Sequence, residues 1–150
     1  MSETAVETAR SVAGQLVVFA LGGEEYALPI AKVQEIIRYQ EPRAVASESS
    51  WIRGVISLRG RIIPVCDLAE RLGVNARQGD AAKIVIIETQ SGSAGVVVDD
   101  VDEVLTIEES QLDEVPVASA DFIEAIAKIG DRLVVLLDPD GIFADTELAT

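Results

Sequence analysis

The chain has 150 residues, of which 49% are hydrophobic, so it is long enough and apolar enough to bury the core of one globular domain. It carries 26 Asp and Glu residues against 12 Lys and Arg residues, a formal net charge of −14. This balance argues against nucleic acid and anionic membrane surfaces as ligands, because proteins bind both mainly through cationic side chains.

The sequence lacks the usual features of exported proteins and of enzymes. The opening residues, MSETAVETAR, have no signal-peptide pattern, and no apolar run approaches the roughly 18 residues that a membrane span needs, so a cytoplasmic location is expected. The chain has no histidine, and Cys66 is its single cysteine. It has neither a P-loop nor a dinucleotide-binding glycine pattern. We therefore predict no enzymatic activity, no cofactor and no metal site.

The first half of the chain is predicted to be mainly β. Residues 1–13 are small, polar and aperiodic, which predicts a flexible tail. The next segments predict, in chain order, a hairpin of strands 16–21 and 25–30 around Gly22 and Gly23, a helical turn leading into a strand over 31–39, two strands within 52–68 around Arg59 and Gly60, and a helix over 67–73. Asp67 is the predicted N-cap, with Glu70 closing a capping box and Gly73 ending the helix.

The second half repeats this order of elements. The predicted strands cover 83–90, 94–101, 102–107, 122–129 and 132–138, with a turn at Gly130 and Asp131. A last helix is predicted to begin with Asp138 as N-cap and Pro139 at its first position.

An internal repeat is visible in two places. Residues 52–68 align without a gap on residues 123–139, an offset of 71, and residues 32–37 align on residues 100–105, an offset of 68. The repeat indicates a duplicated unit of about five short strands, although any two hairpins share some apolar pattern. Such a unit favours a small closed barrel. We therefore predict one domain over 14–150, with halves at about 14–80 and 81–138 packed around a groove, and leave the packing of the C-terminal helix open.

Four segments, in this order, resemble the CheW family of chemotaxis coupling proteins: EEYALPIAKVQEI (24–36), WIRGVISLRGRIIPVCDL (51–68), GVVVDDVDEVL (95–105) and GDRLVVLLD (130–138). The resemblance extends from about residue 14 to residue 143, and its most specific part is residues 54–68. It implies a mainly β fold of two SH3-like five-stranded β-barrel subdomains packed together, with a few short helices and no enzymatic activity. The implied partners are the regulatory domain of the histidine kinase CheA and the cytoplasmic tip of a chemoreceptor.

The resemblance also implies two sets of contact residues. The receptor-binding set is Val33, Glu35, Ile36, Gly54, Arg59, Ile84, Gly95, Val97 and Val104. The kinase-binding set is Val17, Ile30 and Val33. The residues alone leave a second interpretation open, since strand alternation buries half of each strand and a strand glycine often marks a bend. Two positions depart from the family pattern: Asp100 stands where glycine is common, and Ser57 where asparagine is usual.

The sequence leaves two alternatives to the role of chemotaxis coupling protein. One is a CheW-like adaptor in another receptor-kinase pathway, such as pilus-driven motility. A second is a carboxylate-based hydrolase that uses Asp99 or Glu103, which requires two facing carboxylates in a cleft. The acidic residues near 138–141 do not match the spacing of a calcium loop, and Cys66 is interpreted as a buried, inert side chain.

Overall fold

The computed structural model describes residues 14–46, 50–77, 79–113 and 122–143. Residues 1–13, the predicted tail, lie outside this part of the chain. The strands are β1 (Gly14–Leu21), β2 (Glu24–Pro29), β3 (Val33–Arg38), β4 (Ile52–Leu58), β5 (Arg61–Cys66), β6 (Lys83–Thr89), β7 (Gly92–Val98), β8 (Asp100–Ile107), β9 (Leu112–Asp113), β10 (Ile123–Ile129) and β11 (Arg132–Leu137). The helices are α1 (Leu68–Leu72) and α2 (Pro139–Ile142), and two 3-10 turns cover Ile30–Lys32 and Glu109–Gln111.

The strands form two sheets, each of which curls around its own apolar core. The sheet with the order β3-β6-β7-β5-β4 is the first barrel, and the sheet with the order β8-β1-β2-β11-β10-β9 is the second barrel. The predicted mainly β fold of two barrel subdomains with a few short helices is therefore confirmed. The second barrel differs from the expected five strands by the addition of β9, which has only two residues.

The two barrels do not coincide with the two halves of the sequence, so the predicted division near residue 80 does not describe the sheets. The first hairpin, β1–β2, belongs to the second barrel, and the hairpin β6–β7 belongs to the first. Each barrel is thus completed by a hairpin from the other half. The short links explain this exchange. If β3 paired with β1 of its own half, it would run parallel to β2 with β1 between them. A connection between two parallel strands of one sheet needs a crossover of about a dozen residues. Only Ile30–Lys32 join β2 to β3, and only Asp99 joins β7 to β8.

The internal repeat is confirmed at both offsets. The hairpins β4–β5 and β10–β11 are related by 71 residues, and each has a register shift at its start, between Ile52 and Gly54 and between Ile123 and Ala125. The offset of 68 relates β3 to β8, and it also relates the exchanged hairpins, because Val18 pairs with Ala27 as Ile86 pairs with Gly95. The sequence comparison missed this last correspondence.

The largest core lies between the two barrels. Alternate residues of the exchanged hairpins face the interior of their own barrel, and the residues between them face this central core. From β1 and β2 it receives Phe19, Leu21, Tyr26 and Leu28, and from β6 and β7 Val85, Ile87, Ala94, Val96 and Val98. Both faces of these four strands are therefore buried, which explains their nearly continuous apolar runs.

An arginine lies at the edge of the central core. The Arg71 guanidinium carbon is 4.5 Å from the ring centroid of Trp51 and 5.0 Å from that of Phe122. These two aromatic residues are equivalent in the repeat. The Arg71 Nε also donates to the Ile142 carbonyl, at 3.1 Å, at the end of α2. One side chain thus links both halves through cation–π contacts and a hydrogen bond.

The predicted helix caps are confirmed, with one correction. The Asp67 side chain accepts from the Glu70 backbone N–H, and Gly73 ends α1 with a left-handed φ of 76°. The reciprocal half of the predicted capping box does not form. The Asp67 N–H donates instead to the Trp51 carbonyl at 2.6 Å, so tertiary contact has replaced the local bond. Asp138 caps α2 by accepting from the Asp140 backbone N–H, with Pro139 at the first helical position.

Each barrel is closed by the chain that follows β3 or β8. In the first barrel Arg43 pairs with Val55 of β4, and in the second Asp113 pairs with Ile126 of β10. The closing segment of the first barrel passes directly over Gly54. A Cβ there would lie 2.1 Å from the Arg43 carbonyl oxygen, and φ is 149°. Gly54 is therefore required for closure of the barrel.

The exchange of hairpins predicts fragment complementation. Fragments 1–79 and 80–150, each expressed alone, should not form a folded monomer, because the short links prevent either fragment from completing its own barrel. Mixing them should restore a 1:1 complex with the circular dichroism and Trp51 emission of the intact chain. A fragment that unfolds cooperatively as a monomer in analytical ultracentrifugation would contradict the exchange.

A second prediction comes from a charge difference between the repeats. In the first half the Arg53 Nη1 lies 3.7 Å from the Asp67 Oδ2, a pair of opposite charges. The equivalent residues in the second half are Glu124 and Asp138, a pair of like charges. Burial, and then the charge of Asp138, raises the pKa of Glu124, and burial also raises that of Asp138. Replacement Glu124→Arg should raise the free energy of unfolding at pH 7 by about 0.5–1 kcal/mol, a range that allows for solvent screening.

The pH dependence follows from the sign of these shifts. A carboxyl whose pKa is raised by folding destabilises the folded chain when it is ionised, so the penalty is complete at neutral pH and disappears as the pH falls through the raised pKa toward the ordinary value. The advantage of Glu124→Gln, which removes the charge alone, should shrink over the same range in urea titrations. An advantage that is the same at pH 4 and pH 7 would contradict the electrostatic origin.

Candidate partner-binding surface

The edge strand β3 presents the predicted contact residues of the first barrel. Its residues alternate between half-buried and exposed, with Val33 and Glu35 half-buried and Ile36 40% exposed. Ile36 pairs with Val85, whose side chain belongs to the central core. Ile36 therefore lies on the same face as the central core but at its uncovered margin.

Strand β8 presents the equivalent position in the second barrel. Val104 is 51% exposed and pairs with Val17, which is buried on the same face of β1 as Phe19. Val104 and Ile36 are related by the offset of 68. The two edge strands thus carry matching exposed aliphatic side chains at the margins of the central core.

Arg59 occupies the tip of the β4–β5 hairpin in an unusual conformation. Its φ is 52°, and within the described ranges it is the one residue other than glycine with a positive φ. The two-residue turn of Arg59 and Gly60 prefers residues that tolerate positive φ, and the equivalent of Arg59 in the second half is Gly130, with φ 62°. The first half thus retains an arginine where the fold favours glycine.

The Arg59 guanidinium reaches back to β3 and donates through Nη1 to the Glu35 Oε2. This hydrogen bond lowers the pKa of Glu35, against the smaller opposing effect of burial. Glu35 is therefore ionised at neutral pH. Glu35 pairs with Ile86 of the first-barrel core, so the ion pair lies on the opposite face of β3 from Ile36. The pair presents a donor group and an acceptor group at the edge of that strand.

Several predicted receptor residues lie in the interior instead. Ile84 and Val97 belong to the core of the first barrel, with exposures of 0% and 4%. Gly95 is also buried, and a Cβ there would lie 2.7 Å from the Ile84 Cγ2. Gly54 is covered by the closing segment. These four residues shape the barrel beneath the surface, and the space beside each glycine is filled by the chain itself.

The predicted kinase residues are divided in the same way. Ile30 begins the 3-10 turn after β2 and is 38% exposed, and Val33 is half-buried at the end of that turn. Val17 is 2% exposed and lies on β1, between β2 and β8 in the sheet. Ile30 and Val33 therefore offer side chains to a partner, whereas Val17 supports the strands around them.

Ile62 and Leu133, on the outer faces of the hairpins, are exposed residues that the sequence did not predict as contacts. Ile62 is 68% exposed and Leu133 is 60% exposed, and they are equivalent at the offset of 71. Alternation along β5 could have identified Ile62, because its neighbour Ile63 faces the core of the first barrel. Both residues mark surfaces that the chain itself leaves uncovered.

Asp99, just before β8, and Glu103, within β8, both have structural partners. Asp99 accepts from the backbone N–H groups of Gly22 and Arg77, at 2.8 and 2.9 Å, and so ties the β1–β2 turn to the segment that joins the halves. The Glu103 Oε2 accepts from the Arg132 Nη2 at 2.9 Å. These bonds do not provide the pair of facing carboxylates that the hydrolase hypothesis requires. Across the described segments, no group of three or more His, Cys, Asp or Glu side chains is placed to hold a metal ion.

Cys66 is fully buried, and burial raises the pKa of its thiol, which confirms its interpretation as an inert core residue. Within the described residues, neither helix has the length and apolar character needed to cross a membrane.

The CheW-like domain family matches residues 15–147 of the chain. Chemotaxis protein CheW of Klebsiella aerogenes is 30% identical over 154 residues, which cover 99% of this chain and 91% of that protein. Chemotaxis protein CheW of Bacillus subtilis is 33% identical over 133 residues, 85% of each. A shorter match is protein PilI of Pseudomonas aeruginosa, 27% identical over 84 residues, or 55% of this chain and 47% of PilI.

The fold has a counterpart among solved structures. The crystal structure of the scaffolding protein TtCheW from Thermoanaerobacter tengcongensis superposes with a TM-score of 0.82 at 33% identity, covering 87% of this chain and 88% of that one. The chain therefore belongs to the CheW family, whose members are chemotaxis scaffold proteins and not enzymes.

Proposed function

We propose that this chain couples the cytoplasmic tips of chemoreceptors to the regulatory domain of a CheA-type histidine kinase. The observation that carries the proposal is Arg59, kept in a left-handed conformation where the equivalent residue is glycine. A residue other than glycine in this conformation costs about 1–2 kcal/mol, and such costs persist mainly at functional positions. The proposal implies a cytoplasmic location.

The proposed receptor surface is the margin of the central core. It combines the exposed aliphatic side chains of Ile36 and Val104 with the ion pair of Glu35 and Arg59, which lies on the other face of the edge strand β3. An amphipathic helix matches this chemistry, since its apolar stripe can cover the aliphatic groups while its polar flank bonds to the ion pair. In this proposal Gly54, Ile84, Gly95 and Val97 act by shaping the supporting barrel.

The proposed kinase surface lies at the 3-10 turn that joins β2 to β3. Ile30 and Val33 supply its side chains, and Val17 is a buried residue of the neighbouring strand β1. Because Val33 belongs to both surfaces, the two partners would bind next to one another. Each interface is expected to be modest, at or below about 800 Å² per partner, so an array of many contacts would supply the strength of the assembly.

The similarity to PilI favours an adaptor role in pilus-driven motility as a second candidate. Its match covers about half of either chain, whereas the matches to chemotaxis CheW proteins cover most of both. Binding to receptor tips from each type of pathway, measured side by side, would distinguish the two roles.

Replacement Arg59→Gly should separate stability from receptor binding. Glycine relieves the backbone strain at the hairpin tip, so the free energy of unfolding should stay level or rise by about 1 kcal/mol. Affinity for a chemoreceptor tip fragment should fall about tenfold or more, as measured by calorimetry. Arg38→Gln, which removes an exposed positive charge from the same region, is the control and should change the affinity little. Unchanged binding by Arg59→Gly would remove Arg59 from the receptor surface.

The kinase surface can be tested with the isolated regulatory domain. Titration of that domain into the ¹⁵N-labelled chain should shift the amides of residues 17, 30 and 33. Ile30→Ser should weaken binding about tenfold without loss of folding, because Ile30 is partly exposed. Val45→Ser, at a residue that is 44% exposed elsewhere on the first barrel, is the matched control. Equal effects of the two variants would refute a specific role for Ile30.

A further inference from the structure

Two arginines at equivalent positions have different partners in the two barrels. Arg132, at the start of β11, donates to Glu25 through Nε at 3.0 Å and through Nη2 at 2.6 Å. A further bond joins its Nη2 to Glu103 at 2.9 Å. The bonds from Arg132 lower the pKa of Glu25, so this carboxylate is ionised when it binds the guanidinium. The second barrel thus supplies its own anion to this arginine.

The first barrel lacks that anion. Arg61 is the equivalent of Arg132, and Ser93 stands at the position of Glu25. Arg61 Nη2 donates to the Ser93 Oγ at 2.8 Å, and Ser93 donates in turn to the Gln34 Oε1 at 2.7 Å. Gln34 itself replaces Asp102. Among the ion pairs formed by the described residues, none includes Arg61.

The surroundings of Arg61 combine polar and apolar groups. A depression of about 190 Å³ next to Arg61 is lined by the polar residues Thr89, Ser91 and Ser93 and by the apolar residues Ile62, Pro64, Ala94 and Phe143. Ile62 is 68% exposed, although aliphatic side chains of this size are usually buried. The depression can therefore receive a charged group and an apolar group side by side.

The charge of the first barrel favours an acidic ligand. The described residues between 30 and 98 include nine Lys and Arg residues and six Asp and Glu residues. Residues 14–29 and 99–143, which build most of the second barrel, include two Lys and Arg residues and thirteen Asp and Glu residues where the structure describes them. An acidic segment would be attracted to the first barrel and repelled by the second.

We propose that the depression at Arg61 is a docking site for an acidic segment of a partner protein, in which a carboxylate binds Arg61 and a neighbouring apolar side chain covers Ile62. The site lies between β5 and the β6–β7 turn. Its hydrogen bonds reach Gln34 of β3, so it adjoins the proposed receptor and kinase surfaces but uses different side chains. The bond between Arg132 and Glu25 shows the chemistry that this fold uses at the equivalent arginine. A planar guanidinium binds a carboxylate through two parallel bonds, which a single serine hydroxyl cannot reproduce.

The probe for this site is a peptide with the sequence of residues 23–28, GEEYAL, blocked at both ends. It carries the carboxylate that binds Arg132 in the second barrel, together with apolar residues. Titrated at millimolar concentration into the ¹⁵N-labelled chain, it should shift the amides of Ile62, Thr89 and Ser93. The matched peptide GQQYAL should bind at least tenfold more weakly. Equal binding of the two peptides, or no shift at these amides, would overturn the proposal.

Variants of the chain test the same site from the other side. Arg61→Gln and Ile62→Ser should each weaken binding of the acidic peptide about tenfold, whereas the control Arg38→Gln should not. Ser93→Glu restores the carboxylate of the second barrel, so it should bind Arg61 internally and block the peptide while leaving the thermal midpoint unchanged or higher. Full peptide binding by folded Ser93→Glu would overturn the assignment, with folding followed by Trp51 emission. These readouts do not involve receptor or kinase, so they fail independently of the proposed function.

Discussion

Burial of both faces of two exchanged hairpins is the constraint on which the rest of the structure depends. The strands β1, β2, β6 and β7 line the interior of one barrel with one face and the central core with the other, so the central core is complete only when both hairpins are in place. The links that force the exchange also place the candidate surface. Because β3 and β8 follow those hairpins after three residues and one residue, they become the edge strands of the opposite barrels, and Ile36 and Val104 lie at the margins of the core.

Local signals in the sequence were sufficient for the elements but not for their partners. The hairpin turns, the Asp67 and Asp138 caps and the repeat offsets depend on residues close together in the chain, and the structure confirms them. The exchange could not be predicted in this way, because equivalent strands have equivalent patterns whichever barrel they enter. The available signal was the run LVVFAL at 16–21, which is apolar at every position and so indicates a strand covered on both sides.

For the candidate site too, the sequence predicts which residues lie on the same face of a strand but not which face is covered. Alternation assigns neighbouring residues to opposite faces, but it does not say which face is covered. Val17 and Val97 are therefore buried where Val104 and Ile36 are exposed, although all four are aliphatic residues in short strands. Comparison of the two halves separates residues that the fold requires from residues that have another role, which alternation cannot do. Where both halves keep the same feature, as at the helix caps, the fold accounts for it; where one half departs at a cost, as at Arg59, a second requirement is acting.

The exchange also limits how a scaffold of this kind can transmit a signal. A hinge between two barrels requires a boundary that few contacts cross, and here the boundary is the largest apolar core of the molecule, with Arg71 bonded across its edge. Bending at this boundary would expose the central-core face of the exchanged strands, which the burial of apolar surface strongly opposes. If the chain couples receptor to kinase as proposed, the signal must therefore pass as a change in how the partners are placed on a rigid body. The ion pair of Glu35 and Arg59, at the surface of β3, is placed to contact a partner that moves in this way.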